Sequence, residues 1–443
     1  MEGNQRTKNF NPLTYGELNT MQSPSTKANI ALTLATLAFA ANFSVWVLYA
    51  VIGIHLKSQL GLSATEFGLL LSTPIFSGAV LRLPIGFLSE RYAPKKLLLW
   101  QMAFLIIPLI MLKDATTLVD YLWLGLLIGV SGVSFTIGIR YVVDWFSSQK
   151  QGTAMGIFGA GNAGAAITLA LAPWIIDHAG LDLLGPIYAA GMILVILLFG
   201  FVAPQTPAYI LQKNKQGWQH HFEPLRHLAV WRFGLYYYFV FGGYLALTLW
   251  LPQYYVSAYD LNINQAMALT LLYVTSSSLV RAAGGWFADK YGARTVNWSV
   301  FWTCLVCLFF LSYPPTTMVI QGVDKQVNLH IEINVWVFTG LIFVIGIAQG
   351  FGRASVYKII YDYYPKQMGS VGGVVAMVGA LGGCTLPLIF GIAVDFIGVY
   401  SACFMLLYAV LAACMLLMFV ANKKEKHQER VRHAIETNFL ERD

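Results

Sequence analysis

SGAVLRLPIGFLSERY, residues 77–92, and SSSLVRAAGGWFADKY, residues 276–291, are apolar stretches of one chain, each broken by a single arginine. The arginines, Arg82 and Arg281, stand 199 residues apart. So do the acids that follow them, Glu90 and Asp289, each with a base directly behind it. A charge inside an apolar segment is costly, and finding it twice at a fixed separation points to an internal repeat.

The composition sets the environment. Of 443 residues 57% are hydrophobic and 11% charged, against about 25% charged in an ordinary soluble domain. One core cannot hide that much apolar surface from water, so the chain reads as a polytopic membrane protein. The net charge of +7 is not laid out as a basic face interleaved with aromatics, which argues against a nucleic-acid partner. Cys304, Cys307, Cys384, Cys403 and Cys414 all lie in apolar stretches. The CxxC at 304–307 has no second pair or polar ligand nearby, so no metal site is expected. There is no nucleophile paired with a base and no phosphate loop, so neither catalytic residues nor a cofactor are expected.

A membrane-crossing helix needs about 20 mostly apolar residues. Twelve segments qualify, at 29–52, 67–88, 96–112, 119–143, 153–176, 183–203, 232–256, 265–288, 296–313, 334–360, 370–393 and 398–420. The sequence thus predicts an all-α membrane protein with twelve transmembrane helices in two pseudo-symmetric six-helix bundles, 29–203 and 232–420. A polar N-terminal tail (1–28), a connector (204–231) and a C-terminal tail (421–443) complete the domain plan. With both termini cytoplasmic, 20 of the 28 Lys/Arg fall on the inside and only Lys57, Lys113 and Lys325 outside, as the positive-inside rule requires. The expectation is a monomer in the cell membrane. The charge run of the C-terminal tail reads as a solvated face needing no functional explanation.

The repeat extends beyond the opening pair. RYVVD (140–144) ends span 4 and KIIYD (358–362) ends span 10; glycine-rich GIFGAGNAGAA (156–166) and GGVVAMVGALGG (372–383) follow. Spans 2, 4 and 5 therefore correspond to spans 8, 10 and 11. Two similar halves joined by a polar connector are the plan of a secondary transporter with its site near the midplane.

Arg82 and Arg281 lie roughly 13 Å above the cytoplasmic ends of their helices, near the middle of a core about 30 Å thick. A central arginine costs at least about 2.5–3.5 kcal/mol, and neither has an acid within a turn. One reading has each arginine bind backbone carbonyls and lock helices. The other has the two meet across the central cavity and hold a small planar anion in their rigid forks. Arg140/Asp144 and Lys358/Asp362 are i, i+4 pairs near the cytoplasmic ends. They read as helix-end or gate ion pairs, or as groups that exchange protons during transport. Arg353 in GFGRAS is a further deep cation of that network. No histidine lies near the midplane, which excludes a histidine relay. Small residues in spans 5 and 11 permit close helix packing, and the Asn162 amide can donate to an anion. Phe135, Tyr237, Phe241 and Tyr244 are core or belt aromatics, or walls of a site.

GWFADKYGAR (285–294) fits the loop motif of the major facilitator superfamily, and GFLSERYAPK (86–95) is a degraded copy of it. LRLPIG, LVRAAGG, GIFGAGNAG and GALGGCTLP together resemble the nitrate/nitrite porter family of that superfamily, across essentially all twelve spans. The resemblance implies that Arg82 and Arg281 clamp nitrate or nitrite, that Asn162 hydrogen-bonds it, and that Phe135, Tyr237 and Phe241 border it. It also implies that Gly159, Gly161, Gly164, Gly379, Gly382 and Gly383 let spans 5 and 11 slide. Ala165 and Ala166 depart from the family's glycines. TEFGLL and GRASVYKIIYD look more like proton-coupled importers than exchangers, so protons are expected as the coupling partner. Nitrate/nitrite exchange and carriage of another small organic anion are the alternatives.

Overall fold

The computed structural model describes residues 26–143, 145–146, 151–205, 226–321, 323–364 and 368–440. Asp144, most of the N-terminal tail and most of the connector lie outside these residues. Among the described residues, twelve helices are long and apolar enough to cross a membrane. Spans 1–6 are Thr26–Leu60, Ala64–Gly86, Pro94–Asp114, Leu118–Val143, Ala154–Ala179 and Leu181–Val202. Spans 7–12 are Leu228–Tyr259, Ile263–Tyr291, Ala293–Leu311, Val335–Tyr363, Val371–Ile397 and Ala402–Glu425.

Burial separates inner from outer helices. The most apolar windows of spans 1 and 7 are 83% and 89% buried, whereas those of spans 3, 6, 9 and 12 are 39%, 33%, 39% and 39% buried. Spans 1 and 7 are thus central, and the latter four turn broad apolar faces outward, where lipid replaces protein. All five cysteines are buried and free.

Two features depart from the sequence reading. The loop between spans 9 and 10 carries a β-hairpin, β1 (Thr316–Gln321) antiparallel to β2 (Gln326–Ile331). Its strands are β-branched and too short to register as anything but loop in a search for 20-residue apolar runs. The C-terminal tail also continues span 12 as one helix over Ala402–Leu440. Glu425 on that extension pairs with Arg294 (2.6 Å) and Arg232 (3.4 Å) and accepts from the Tyr363 hydroxyl (2.8 Å). That carboxylate ties the ends of spans 7, 9 and 10 to span 12.

Among the described residues, five spans leave the α-helix in mid-course. Span 1 turns at Val47–Leu48, span 2 at Leu81, and spans 4 and 5 tighten to 3-10 helix over Gly129–Val133 and Ala160–Ala163. Span 7 widens to a π-turn over Tyr238–Gly242. Glycine weakens helix propensity in the two 3-10 segments. At Leu81 the cause is Pro84, which lacks an N–H and whose ring collides with the carbonyl four residues back. Spans 8, 10 and 11 run unbroken.

The halves meet along spans 2 and 11 and along spans 5 and 8. On the face away from the chain termini, Asp395 at the end of span 11 accepts from the backbone N–H groups of Ala64 (3.0 Å) and Thr65 (2.7 Å) and from the Thr65 hydroxyl (2.6 Å). A carboxylate of one half thereby caps a helix N-terminus of the other, where unsatisfied N–H groups and the helix dipole favour negative charge. Asn264 of span 8 donates to Asp177 of span 5 (3.0 Å) on the same face. Below these, Gly68 is so close to span 11 that a methyl group there would sit 2.4 Å from the Pro387 carbonyl oxygen.

Candidate functional site

The breaks in spans 2, 4, 5 and 7 lie in or directly beside Arg82, Phe135, Asn162, Tyr237 and Phe241, five of the residues singled out in the sequence. Arg82 opens the helical segment after the Leu81 break and is buried, at 3% exposure. Its Nε donates to the Gly132 carbonyl (3.3 Å) and its Nη1 to the Ala376 carbonyl (2.8 Å), the second across the halves in span 11. Its guanidinium faces the rings of Trp46 (5.2 Å), Phe241 (5.6 Å) and Phe135 (5.8 Å). The carbonyl contacts match the helix-locking reading of this arginine. They are neutral acceptors, however, and leave the positive charge itself uncompensated.

Arg281, on unbroken span 8, is also buried. Its guanidinium lies 5.7 Å from the same Phe135 ring. Gly159 of span 5 lies against it: a methyl group there would be 2.9 Å from the guanidinium carbon. The two repeat arginines, one from each half, thus border one aromatic ring.

Phe135 belongs to an aromatic stack. Phe158 lies nearly parallel to it at 5.8 Å and to Phe39 at 5.0 Å. On the other half Tyr237 stacks on Phe241 (5.1 Å, 19°) and meets Tyr357 edge-on (5.1 Å). Asn162 is buried within the 3-10 turn Ala160–Ala163.

The signature glycines make close approaches, mostly within a half. A methyl group at Gly161 would lie 2.5 Å from Phe39, and one at Gly164 2.0 Å from the Ala40 carbonyl oxygen, so span 5 presses on span 1. Gly379 meets Tyr237 in the same way (2.2 Å), and Gly382 and Gly383 meet Gly242 and Leu245, so span 11 presses on span 7. The repeat is therefore visible in the packing. Gly159 differs, because it faces an arginine of the opposite half.

The remaining cations separate by depth. Arg353 is fully buried; its guanidinium donates to the carbonyl (2.5 Å) and hydroxyl (2.7 Å) of Ser277 and lies 4.0 Å from the Tyr244 ring centroid. Lys358 pairs with Asp362 at 3.2 Å, as its i, i+4 spacing requires, and with Asp289 at 3.3 Å. Arg140 is half-buried in the last turn of its helix; its sequence partner Asp144 lies outside the described residues.

Sequence reasoning missed Trp46, Phe39, Phe158 and Tyr357 at the centre, and the Asp289–Lys358 pairing. Phe158 stands inside the quoted signature and Asp289 inside the loop motif, so their positions were legible and their partners were not. Trp46, in FSVWVL, looks like any aromatic of a membrane helix until its neighbours are known.

The family model described as Major Facilitator Superfamily matches residues 34–323 and 327–442. A probable nitrate/nitrite antiporter of Thermus thermophilus is 35% identical over 419 residues, covering 90% of this chain and 92% of that protein. A nitrite extrusion protein of Bacillus subtilis is 28% identical over 411 residues, covering 91% and 98%. A bacterial homologue of the human lysosomal transporter Spinster superposes with a TM-score of 0.67 at 14% identity, covering 91% of this chain and 98% of that chain, a likeness of fold. Twelve apolar spans, two repeated halves and this similarity over nine-tenths of the length identify a multi-pass membrane transporter rather than an enzyme: the chain belongs to the nitrate/nitrite porter family of the Major Facilitator Superfamily.

Proposed function

We propose that this protein carries nitrate or nitrite across the cell membrane by alternating access, with the anion held between Arg82 and Arg281. The observation that carries the reading is the approach of both guanidiniums, from opposite halves, to the single ring of Phe135 (5.8 and 5.7 Å). Two cations bordering one aromatic wall form a site for a flat anion with several acceptor oxygens, which the guanidinium fork matches. Phe135, Phe241 and Tyr237 wall it, and Asn162 supplies an amide donor. The anion is then the bridge between the halves 29–203 and 232–420, and its passage is their rocking about it. Both termini face the cytoplasm in this reading, and the unit is a monomer.

Proton-coupled uptake is the coupling we propose. Lys358, flanked by Asp289 and Asp362 at 3.3 and 3.2 Å, and the pair Arg140/Asp144 supply ionisable groups near the cytoplasmic ends of spans 10 and 4. Arg353 lies deeper on span 10. Nitrate/nitrite exchange is the second reading, favoured by the name of the Thermus relative. Purified protein in liposomes separates them. An inward proton gradient drives nitrate accumulation by a symporter, whereas internal nitrite stimulates nitrate entry through an exchanger. Chlorate and small organic anions in the same assay delimit the substrate. Arg82→Gln and Arg281→Gln should each abolish uptake; full activity of either variant removes the two-arginine site.

A further inference from the structure

We propose that Trp46 is a positioning residue for the anion site, acting as the rigid prop that aims the Arg82 guanidinium. The proposal rests on the two-arginine reading above and adds a residue that the sequence reading did not assign. Trp46 is the last residue of the first helical segment of span 1, directly before the Val47–Leu48 turn, and is 1% exposed. Its indole N–H donates to the Pro74 carbonyl of span 2 (2.8 Å), which fixes the ring against that helix. Two glycines close the cage. A methyl group at Gly132 of span 4 would lie 2.6 Å from the indole, and one at Gly78 of span 2 would lie 2.7 Å from its nitrogen. The guanidinium stands 5.2 Å from the ring, and its Nε bonds the carbonyl of that same Gly132. Spans 1, 2 and 4 thus meet at one indole, and the charge rests on its face.

The other half repeats the device with a different load. Phe39 and Tyr237, each pressed by a signature glycine, are 198 residues apart, and so are Trp46 and Tyr244. The Tyr244 ring also lies on a buried arginine, Arg353, at 4.0 Å. Arg353 is in turn the counterpart of Phe135: the two are 218 residues apart, as are Gly161 and Gly379. Each half therefore sets an aromatic of its central helix beneath an arginine. In the first half that arginine is the repeat arginine itself; in the second it is Arg353, bonded to Ser277 four residues before Arg281. Arg82 is propped directly, while the helix carrying Arg281 is bonded by a second cation.

A flexible side chain that must meet an anion loses affinity when it is left free to rotate, and an indole is the strongest of the aromatic faces for a cation, most of all when desolvated. Trp46→Leu removes the aromatic face and the N–H; Trp46→Phe keeps a smaller aromatic face and loses the N–H. The expected result is a nitrate Kd, and a transport KM, raised about tenfold by Trp46→Leu and about threefold or less by Trp46→Phe, with maximal rate per inserted molecule nearly unchanged. In an Arg82→Gln background Trp46→Leu should change nothing further. A merely structural tryptophan would lower the amount of folded protein and the rate together and leave KM alone. Modification of Arg82 by phenylglyoxal, read by peptide mass spectrometry, needs no substrate and should be several-fold faster in Trp46→Leu. If wild-type protein does not bind nitrate, the functional reading fails while this reactivity still tests the prop. Unchanged Kd and unchanged Arg82 reactivity in Trp46→Leu overturn the proposal. Should that variant not fold, Trp46→Phe and Gly132→Ala, which pushes on the ring without removing it, carry the same two readouts.

Discussion

At the scale of the residue, the site is a problem of holding charge where water is scarce. Arg82 gives two of its five N–H donors to backbone carbonyls and lies beside three rings. This lowers the cost of a central cation without cancelling its charge. Lysine offers a compact point charge in place of a planar fork, so Arg82→Lys and Arg281→Lys should retain no more than about a hundredth of wild-type nitrate uptake, a loss of two tenfold steps at about 1.4 kcal/mol each. The wall is equally exacting. A methyl group at Gly379 would come 2.2 Å from Tyr237, whose ring stacks on Phe241, which in turn faces Arg82. Gly379→Ala should therefore impair nitrate binding by tenfold or more, at a cost of about 1–3 kcal/mol for overpacking, in protein that still inserts. Isothermal titration of the purified variant against nitrate checks this, and a wild-type affinity would show that Tyr237 does not wall the site.

At the scale of the element, the repeat arginines and the residues around them were legible because charge in an apolar run is conspicuous. The breaks in spans 1, 2, 4, 5 and 7 were not, since a turn or two of 3-10 or π geometry leaves the hydropathy of a helix unchanged. Pro84 and the glycines of GVSGV gave local hints, but nothing in FSVWVL announces the turn after Trp46. The β-hairpin was missed because its six-residue strands are too short to register in a search for membrane spans. The junction of spans 2 and 11 is another feature without a sequence signature, because Asp395 and Thr65 are 330 residues apart. Its three hydrogen bonds close the face away from the termini, and opening that face must break them. Asp395→Ala should shift the protein toward a form open there. Beneath the junction, Cys384 of span 11 is buried, with its carbonyl accepting from the Ser72 hydroxyl (2.5 Å). Its thiol should become several-fold more reactive to an impermeant maleimide added on the side away from the termini, with Cys384→Ser as the control, if losing the cap costs about 0.5–2 kcal/mol. Unaltered labelling would mean that the cap is not what keeps this face shut.

At the scale of the molecule, the same ionic devices appear at the end near the termini, but within the second half. Asp289, Lys358 and Asp362 join spans 8 and 10, and Glu425 gathers spans 7, 9 and 10 onto the extended helix of span 12. These contacts bind spans 7, 8, 9, 10 and 12 to one another at that end. Within the tail's charge run, Glu425 accordingly has a structural task that the sequence reading did not assign. Glu425→Gln weakens two ion pairs at a partly exposed site, where each is worth about 1 kcal/mol or less. The expected outcome is a melting temperature lowered by a few degrees with nitrate affinity unchanged, measured by thermal unfolding in detergent. Lys358→Ala addresses coupling instead. If Lys358 is needed for proton linkage, proton-driven nitrate accumulation should fall at least tenfold while nitrate counterflow persists. Intact proton-driven uptake would remove that role from Lys358.

By itself the sequence determined the solvent, the twelve spans, their division into two repeated halves and the two buried arginines. Those follow from hydropathy and from charge in the wrong place, and both are local properties of the chain. The tertiary structure alone decided that Arg82 and Arg281 border the same ring, that Trp46 lies beneath one of them, and that Asp395 and Glu425 fasten distant helices. A hydrogen bond or a ring contact depends on which faces two helices present to each other. In a bilayer every helix is apolar on nearly every face, so periodicity does not say which face meets which neighbour. Close packing at glycines and the mid-span breaks made that choice.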